Sequence, residues 1–293
     1  MKKVILSISA MLFVGAMSYA QGSLSNDSHV DQSGSWQTAT VSQKGFNQES
    51  HVTQKNMSNT STVDQGLNPS QISFFGYGLS NGNEATVLQD GKRNTAYISQ
   101  NNWSNQATQT QMGDDNNATI WQDEVGSLNP LLNQGHDKAT QSQTGKHNTA
   151  IIDQGTTGNP VPTVFASCDP SPIFPGAPVL PTGYNVANQT QNGNWNKAYA
   201  SQGGLSNVSN QTQNAASYAS SSDKNESNHY QYGNSNLANS TQTGFRNLEN
   251  VLQIGNNNKS YGTQNTVGFY SAGNMSLVCQ QGSNLLSTVT QSN

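Results

Sequence analysis

The glutamines of this chain recur at a fixed interval. Gln32, Gln43, Gln54 and Gln65 are eleven residues apart, as are Gln89, Gln100, Gln111 and Gln122. The step continues at Gln143 and Gln154, at Gln191, Gln202 and Gln213, at Gln231, Gln242, Gln253 and Gln264, and at Gln280 and Gln291. These nineteen glutamines are joined by thirteen eleven-residue steps. Glutamine is 30 of 293 residues, so one step arises by chance about one time in ten, and thirteen exclude accident. The chain is a repeat array.

Other positions keep the same frame. Six residues before the marker glutamine the residue is Asn in fifteen of nineteen units, among them Asn83, Asn94, Asn105, Asn116, Asn148, Asn196, Asn207, Asn236, Asn247 and Asn258. Four before, it is Ala or Ser in eighteen, with Glu249 the exception. Two before, it is Val or Ile in eleven. Two after, it is Gly in eleven, including Gly45, Gly91, Gly113, Gly145, Gly193, Gly233, Gly244 and Gly255. The unit reads N-x-[AS]-x-[VI]-x-Q-x-G-x-x.

The specified residues fall at every second position, which is the period of a β-strand with one constrained face. A helix needs spacings of three and four. The glycine that follows supplies backbone angles other residues avoid, so each unit is one strand and one tight turn. A second period lies above the first. The units ending at Gln111, Gln143, Gln191 and Gln213 read ATQTQ, ATQSQ, ANQTQ and SNQTQ, while those between them read ATIWQ, AIIDQ and AYASQ. Alternate strands resemble one another, so the structural repeat is about 22 residues. The expected fold is all-β: a β-solenoid of about nine and a half strand–turn–strand coils whose odd and even strands stack in two parallel, in-register sheets. At about 4.8 Å per coil the rod is roughly 45 Å long.

Composition fits a narrow interior. Asn (39) and Gln (30) make 69 carboxamides, against 10% charged and 32% hydrophobic residues. That excludes a large oily core. A net charge of −4 with 12 Lys+Arg excludes a basic nucleic-acid surface. Each amide carries two donors and an acceptor. Stacked in register, the marker glutamines and the asparagines six before them can bond the coil above and the coil below, as in cross-β ladders. An unpartnered buried amide costs roughly 1–3 kcal/mol, so register must hold.

Residues 1–20 read as a secretory signal: Lys2 and Lys3, an apolar run, then Ser18-Tyr19-Ala20. A short leader, 21–25, precedes the repeat domain, 26–293. Insertions interrupt the frame near 66–82, 123–136, 155–184, 214–224 and 265–273. The longest contains Cys168; whether it pairs with Cys279 is left open by the sequence.

The repeats, at their clearest in Asn94-Thr95-Ala96-Tyr97-Ile98-Ser99-Gln100 and Asn148-Thr149-Ala150-Ile151-Ile152-Asp153-Gln154, resemble the curlin repeat of bacterial curli fibre subunits. The resemblance implies a secreted functional amyloid that polymerises into extracellular cell-surface fibres for biofilm matrix, adhesion and colonisation. It also implies a nucleator subunit and an outer-membrane curli-type secretion pore as partners, beside the chain itself. The physical route is end-on: the outermost strands of a solenoid expose unpaired edges, and these invite head-to-tail stacking. Two alternatives are a monomeric β-solenoid adhesin using its inserted loops and a disordered Asn/Gln-rich polymer, the latter disfavoured by the strict frame.

Other clusters carry less. His29 and His51, with Asp27 and Glu49, repeat an outward position and suggest a small metal or pH-sensitive patch; solvated side chains explain them as well. Thr40, Thr62, Thr86, Thr108, Thr119 and Thr140 share one place in the unit, as an ice-binding array would, but β-propensity suffices. Tyr97, Trp121 and Tyr199 point outward as candidate fibre contacts. No nucleophile–base pair, phosphate loop or metal-ligand spacing is present, so neither enzyme activity, nor a cofactor or metal, nor nucleic-acid binding, nor stable membrane insertion is expected.

Overall fold

The structure is a computed structural model. It describes residues 25–66, 82–122, 135–155, 183–216, 219–267 and 272–293. The expected signal segment, 1–20, all but the last residue of the expected leader, 21–25, most of the insertions near 66–82, 123–136 and 155–184, parts of those near 214–224 and 265–273, and Cys168 lie outside the described residues. Cys279 is disulfide-bonded.

Among the described residues nineteen strands form two parallel sheets. The ten-stranded sheet stacks β1 (Asp27–Ser35), β3 (Glu49–Met57), β5 (Glu84–Lys92), β7 (Gln106–Asp114), β9 (Lys138–Lys146), β11 (Val186–Asn192), β13 (Val208–Asn214), β15 (Leu237–Thr243), β17 (Lys259–Asn265) and β19 (Leu286–Ser292), in that order. The nine-stranded sheet stacks β2 (Thr38–Gln43), β4 (Thr60–Gln65), β6 (Thr95–Gln100), β8 (Asn117–Gln122), β10 (Thr149–Gln154), β12 (Lys197–Gly203), β14 (Glu226–Tyr232), β16 (Leu248–Asn256) and β18 (Met275–Ser283). Every odd strand lies in one sheet and every even strand in the other, as the 22-residue period requires.

Register is kept throughout. Gln32 pairs with Gln54, Gln111 with Gln143, and Gln253 with Gln280. The insertion between β10 and β11 does not disturb it: Gln143 still pairs with Gln191 and Gln154 with Gln202. Because side chains alternate between faces, a one-residue slip would turn every inward residue outward, so the buried face enforces the register.

The core is a thin strip between the sheets. Val52 and Val87 face Val63, Ile98, Ile120 and Ile152, all fully buried. Ala85, Ala96, Ala107 and Ala139 let the sheets approach beside them. The Val30, Val41 and Val289 side chains, on the outermost coils, are only partly buried.

The turns hold two left-handed residues rather than one. The glycine two after the marker has positive φ, as at Gly91 (140°) and Gly145 (119°). The residue two further on is also left-handed but usually not glycine: Arg93 (55°), Asp115 (58°), His147 (58°) and Trp195 (61°). The unit gave no sign of this second position, because many residue types occupy it.

One expectation needs correction. The six threonines do not form one surface. Thr86, Thr108 and Thr140 lie on the odd sheet, while Thr40, Thr62 and Thr119 lie on the even sheet, where Tyr97 falls between Thr62 and Thr119. Equal positions in an eleven-residue unit alternate between opposite faces of the rod.

Candidate assembly site

The marker glutamines make two continuous ladders. In the odd sheet Nε2 of each donates to Oε1 of the next from Gln32 through Gln54, Gln89, Gln111, Gln143, Gln191, Gln213, Gln242 and Gln264 to Gln291, at 2.6–2.9 Å. In the even sheet the chain runs from Gln43 through Gln65, Gln100, Gln122, Gln154, Gln202, Gln231 and Gln253 to Gln280, at 2.7–3.0 Å. Both ladders point the same way, with donors toward the C-terminal coil.

The second Nε2 hydrogen crosses the core. Gln54 donates to the Thr38 carbonyl, Gln65 to Glu49, Gln100 to Glu84 and Gln111 to Thr95, each sixteen residues back. The glutamines therefore join coil to coil and sheet to sheet at once. This explains why so polar an interior holds: nearly every amide hydrogen has a carbonyl, and buried polar groups are stable only when paired.

The asparagines add backbone partners to the expected amide-to-amide ladder. Their main partners are backbone. Asn94 Oδ1 accepts from the Asn116 amide N–H and its Nδ2 donates to the Gly113 carbonyl. Asn116 likewise accepts from the Asn148 N–H and donates to Gly145. Amide-to-amide bonds occur beside these, as from Asn148 to Asn116 and from Asn247 to Asn225. The asparagine sits at the entry to the strand, where turn carbonyls and N–H groups lack ladder partners. Of the same set, Asn83 donates to the Asn102 carbonyl, Asn105 to Asn101, Asn196 to Asn192, Asn207 and Asn236 to glycine carbonyls, and Asn258 to Gly282.

The turn glycines are needed for space as well as for φ. A Cβ on Gly91 would lie 1.8 Å from the Gly113 carbonyl oxygen, and on Gly145 2.0 Å from that of Gly193. Gly113, Gly193, Gly233, Gly244 and Gly255 meet the next coil at 1.8–2.1 Å in the same way. Gly45 shares the left-handed conformation, with φ of 116°.

Three further ladders escaped the sequence reading. Gln109, Gln141, Gln189 and Gln211 stand where the unit has Val or Ile, and they bond one to the next at 2.8–3.0 Å in the core. The ATQTQ likeness of alternate strands was their signal. On the outer faces Asn188 bonds Asn210, Asn210 bonds Asn239, and Asn228 bonds Asn250. At one corner Arg93 and Asp115 pair through two bonds of 2.6 Å, and His147 stacks on Trp195 at 4.2 Å.

Aromatic placement is mixed. His29 and His51 stack at 4.9 Å, and the Asp27 and Glu49 strand positions pair beside them. Tyr97 lies 6.3 Å from Trp121, and Tyr199 lies 5.2 Å from Tyr230. Among the described residues no group of three or more His, Cys, Asp or Glu side chains could hold a metal ion.

Glu249 and His229 are titratable groups buried near the C-terminal coils. Glu249 replaces the usual Ala or Ser, and burial pushes its carboxyl up to about 7, against a smaller lowering by the Ser240 hydroxyl that donates to it. His229, fully buried, is pushed down to about 3 by desolvation, with Nδ1 at 2.9 Å from Ser209 Oγ. Both side chains keep one polar atom without a partner, Glu249 Oε1 and His229 Nε2.

Among the described residues both ends of the stack are open. Among the described strands β1 and β2 have neighbours on one side only, as do β18 and β19. At the first coil Gln32 and Gln43 present Oε1 with no donor among the described residues. At the last, Gln280 and Gln291 accept from Gln253 and Gln264, and among the described residues they donate only to the Lys259 and Met275 carbonyls. The inward atoms are thus acceptors at one end and donors at the other.

Residues 25–55 match the family model described as Curlin associated repeat. The match takes in β1, β2 and most of β3, whose frame, Gln32, Gln43 and Gln54, is that of the later strands. This stretch is similar to the curlin-associated repeat. No curated protein matches the chain.

Proposed function

We propose that this chain is a secreted structural subunit that stacks head to tail into extracellular curli-like amyloid fibres, serving biofilm matrix, adhesion and surface colonisation. The observation that carries the reading is the pair of glutamine ladders, which end in open acceptors at β1 and β2 and open donors at β18 and β19. A second copy supplies the missing partners at either end. Unpaired parallel edges of this kind template further strands. Low charge supports the reading, since identical strands stack without repulsion. The likeness of residues 25–55 to the curlin-associated repeat points the same way. Export across an outer-membrane pore and nucleation by a second subunit belong to the same proposal.

Purified mature chain provides the test. Incubation should yield thioflavin-positive fibres with a meridional reflection near 4.7–4.8 Å. A folded chain that stays monomeric at high concentration would favour a ligand-binding solenoid instead, and a coil-like circular dichroism spectrum would remove both.

A further inference from the structure

We infer that consecutive copies along the fibre are related by a half-turn about its axis, so that the odd sheet of one copy continues into the even sheet of the next. The inference rests on the proposed end-to-end stacking and fixes its geometry.

The first observation is parity. The described stack begins and ends in the same sheet, ten strands against nine. Suppose a second copy is added by translation alone. Its β1 pairs with β19, but its β2 then stands two strand spacings from β18, about 9.6 Å. One strand slot stays empty in the even sheet, and the edges of both β18 and the incoming β2 stay unpaired. With a half-turn, the incoming β1 pairs with β18 and the incoming β2 pairs with β19. No slot is empty. A half-turn about the rod axis also reverses the strand direction of each sheet, so pairing across the junction stays parallel.

The second observation is that the coil is already symmetric under this operation. Odd strands relate to the even strands before them as even strands relate to the odd ones. Gln54 in β3 donates to Thr38 in β2, and Gln65 in β4 donates to Glu49 in β3, both sixteen residues back. The same step recurs at Gln111 to Thr95, odd to even, and Gln122 to Gln106, even to odd. An incoming β1 on β18 therefore meets the surroundings that any strand meets in the rod.

Side chains at the junction match. In the rotated arrangement Ser28 falls on Ser276, Val30 on Val278 and Gln32 on Gln280; Val41 falls on Val289 and Gln43 on Gln291. Gln280 and Gln291 donate to Gln32 and Gln43 of the second copy, and its Gln32 donates across the core to the Leu286 carbonyl. The Val251, Val278 and Val289 cluster at one end runs into Val30, Val41 and Val52 at the other. Leu286, 70% exposed, lies at this seam. Ladder polarity forbids end faces of the same kind from meeting, since donors would face donors.

Helical reconstruction of wild-type fibres by electron cryo-microscopy tests this. The expected advance per copy is nine and a half coils, about 46 Å, with a half-turn added to the sheet twist, and a true repeat after two copies near 91 Å. An advance of ten coils without a half-turn, about 48 Å, would overturn the inference and leave the fibre reading intact. So would alternating polarity of successive copies. If no fibre forms, the proposed function fails and the inference with it. Deleting residues 285–293, which removes β19, supplies the converse. Eighteen strands should stack by nine coils with no half-turn, and persistence of the half-turn in those fibres would refute the parity argument.

Discussion

Gly262 leaves the space that Glu249 fills: a Cβ on Gly262 would lie 1.8 Å from Glu249 Oε1. The two stand on facing strands, β17 and β16. Neither residue follows the repeat, and each accounts for the other. Gly262→Ala should destabilise the folded rod by roughly 2–4 kcal/mol, because overpacking at a fully buried carboxylate cannot relax toward solvent. Glu249→Ala in the same background should restore most of the loss. Urea unfolding of the soluble chain, compared as a double-mutant cycle, measures it; additive effects would mean that the two positions are independent.

Glu249 also sets a pH dependence. Its folded value, about 7, lies above the ordinary 4.5. The folded state therefore prefers the protonated acid, and stability present below pH 4.5 is lost as pH rises to about 7. The full loss is on the order of 3 kcal/mol. Glu249→Gln keeps a neutral side chain that can accept from Ser240. It should raise the denaturation midpoint at pH 8 and have little effect at pH 4. A wild-type and variant difference that does not change with pH would refute this.

His229 works in the opposite sense. Its folded value, about 3, lies below the ordinary 6.5. Stability from the neutral ring is present above pH 6.5 and lost as pH falls toward 3. His229→Gln places a residue type that already fills the equivalent position in β13, at Gln211. The variant should resist acid better than the wild type between pH 3 and 6, while the two differ little at pH 8. Thermal unfolding monitored across that range decides it.

Removing a ladder amide from the middle of the rod should be costly, and removing an exposed amide outside the ladders cheap. Gln143 accepts from Gln111 and donates to Gln191 and to the Asn117 carbonyl. Gln143→Ala strands two buried amides and leaves a cavity, a loss of about 3–5 kcal/mol. Gln37→Ala touches an exposed amide that bonds the Ser33 and Asn56 carbonyls, and should cost under about 1 kcal/mol. Equal midpoints for the two variants in denaturant would show that the ladder contributes little.

How far these features could be read in advance follows from where each residue sits. Gln32 to Gln291 were legible because an inward position on every strand allows one chemistry, and a strict spacing records it. The alternation of sheets was legible from ATQTQ recurring every second unit. Gln109, Gln141, Gln189 and Gln211 were not, because the averaged unit puts Val or Ile there and four substitutions look like noise until they stack. The threonines misled for a related reason: an eleven-residue count ignores that consecutive strands face opposite sides. Arg93 and Asp115 are 22 residues apart at a corner with no preferred residue, so no pattern marks them. The asparagines lie in the core and form part of the expected amide ladder, as from Asn148 to Asn116 and from Asn196 to Asn148, but their backbone partners were not legible, since only coordinates reveal the turn groups beside Asn94 and Asn116.

Glycine at the turn should prove irreplaceable for two separable reasons, and a pair of variants separates them. Gly91 has φ of 140°, and a Cβ there would lie 1.8 Å from the Gly113 carbonyl oxygen; the obstacle is backbone of the next coil, which cannot yield without moving the sheet. Gly82 has φ of 69°, yet the nearest atom to its Cβ would be Ser104 Oγ at 3.4 Å. Gly82→Ala meets only the left-handed backbone penalty, about 1–2 kcal/mol. Gly91→Ala meets the clash as well and should cost at least about 2 kcal/mol more. The denaturation midpoints of the two L-alanine variants measure the difference. Equal losses at positions 82 and 91 would reject close packing of the coils as the constraint and leave the left-handed backbone as the reason for glycine.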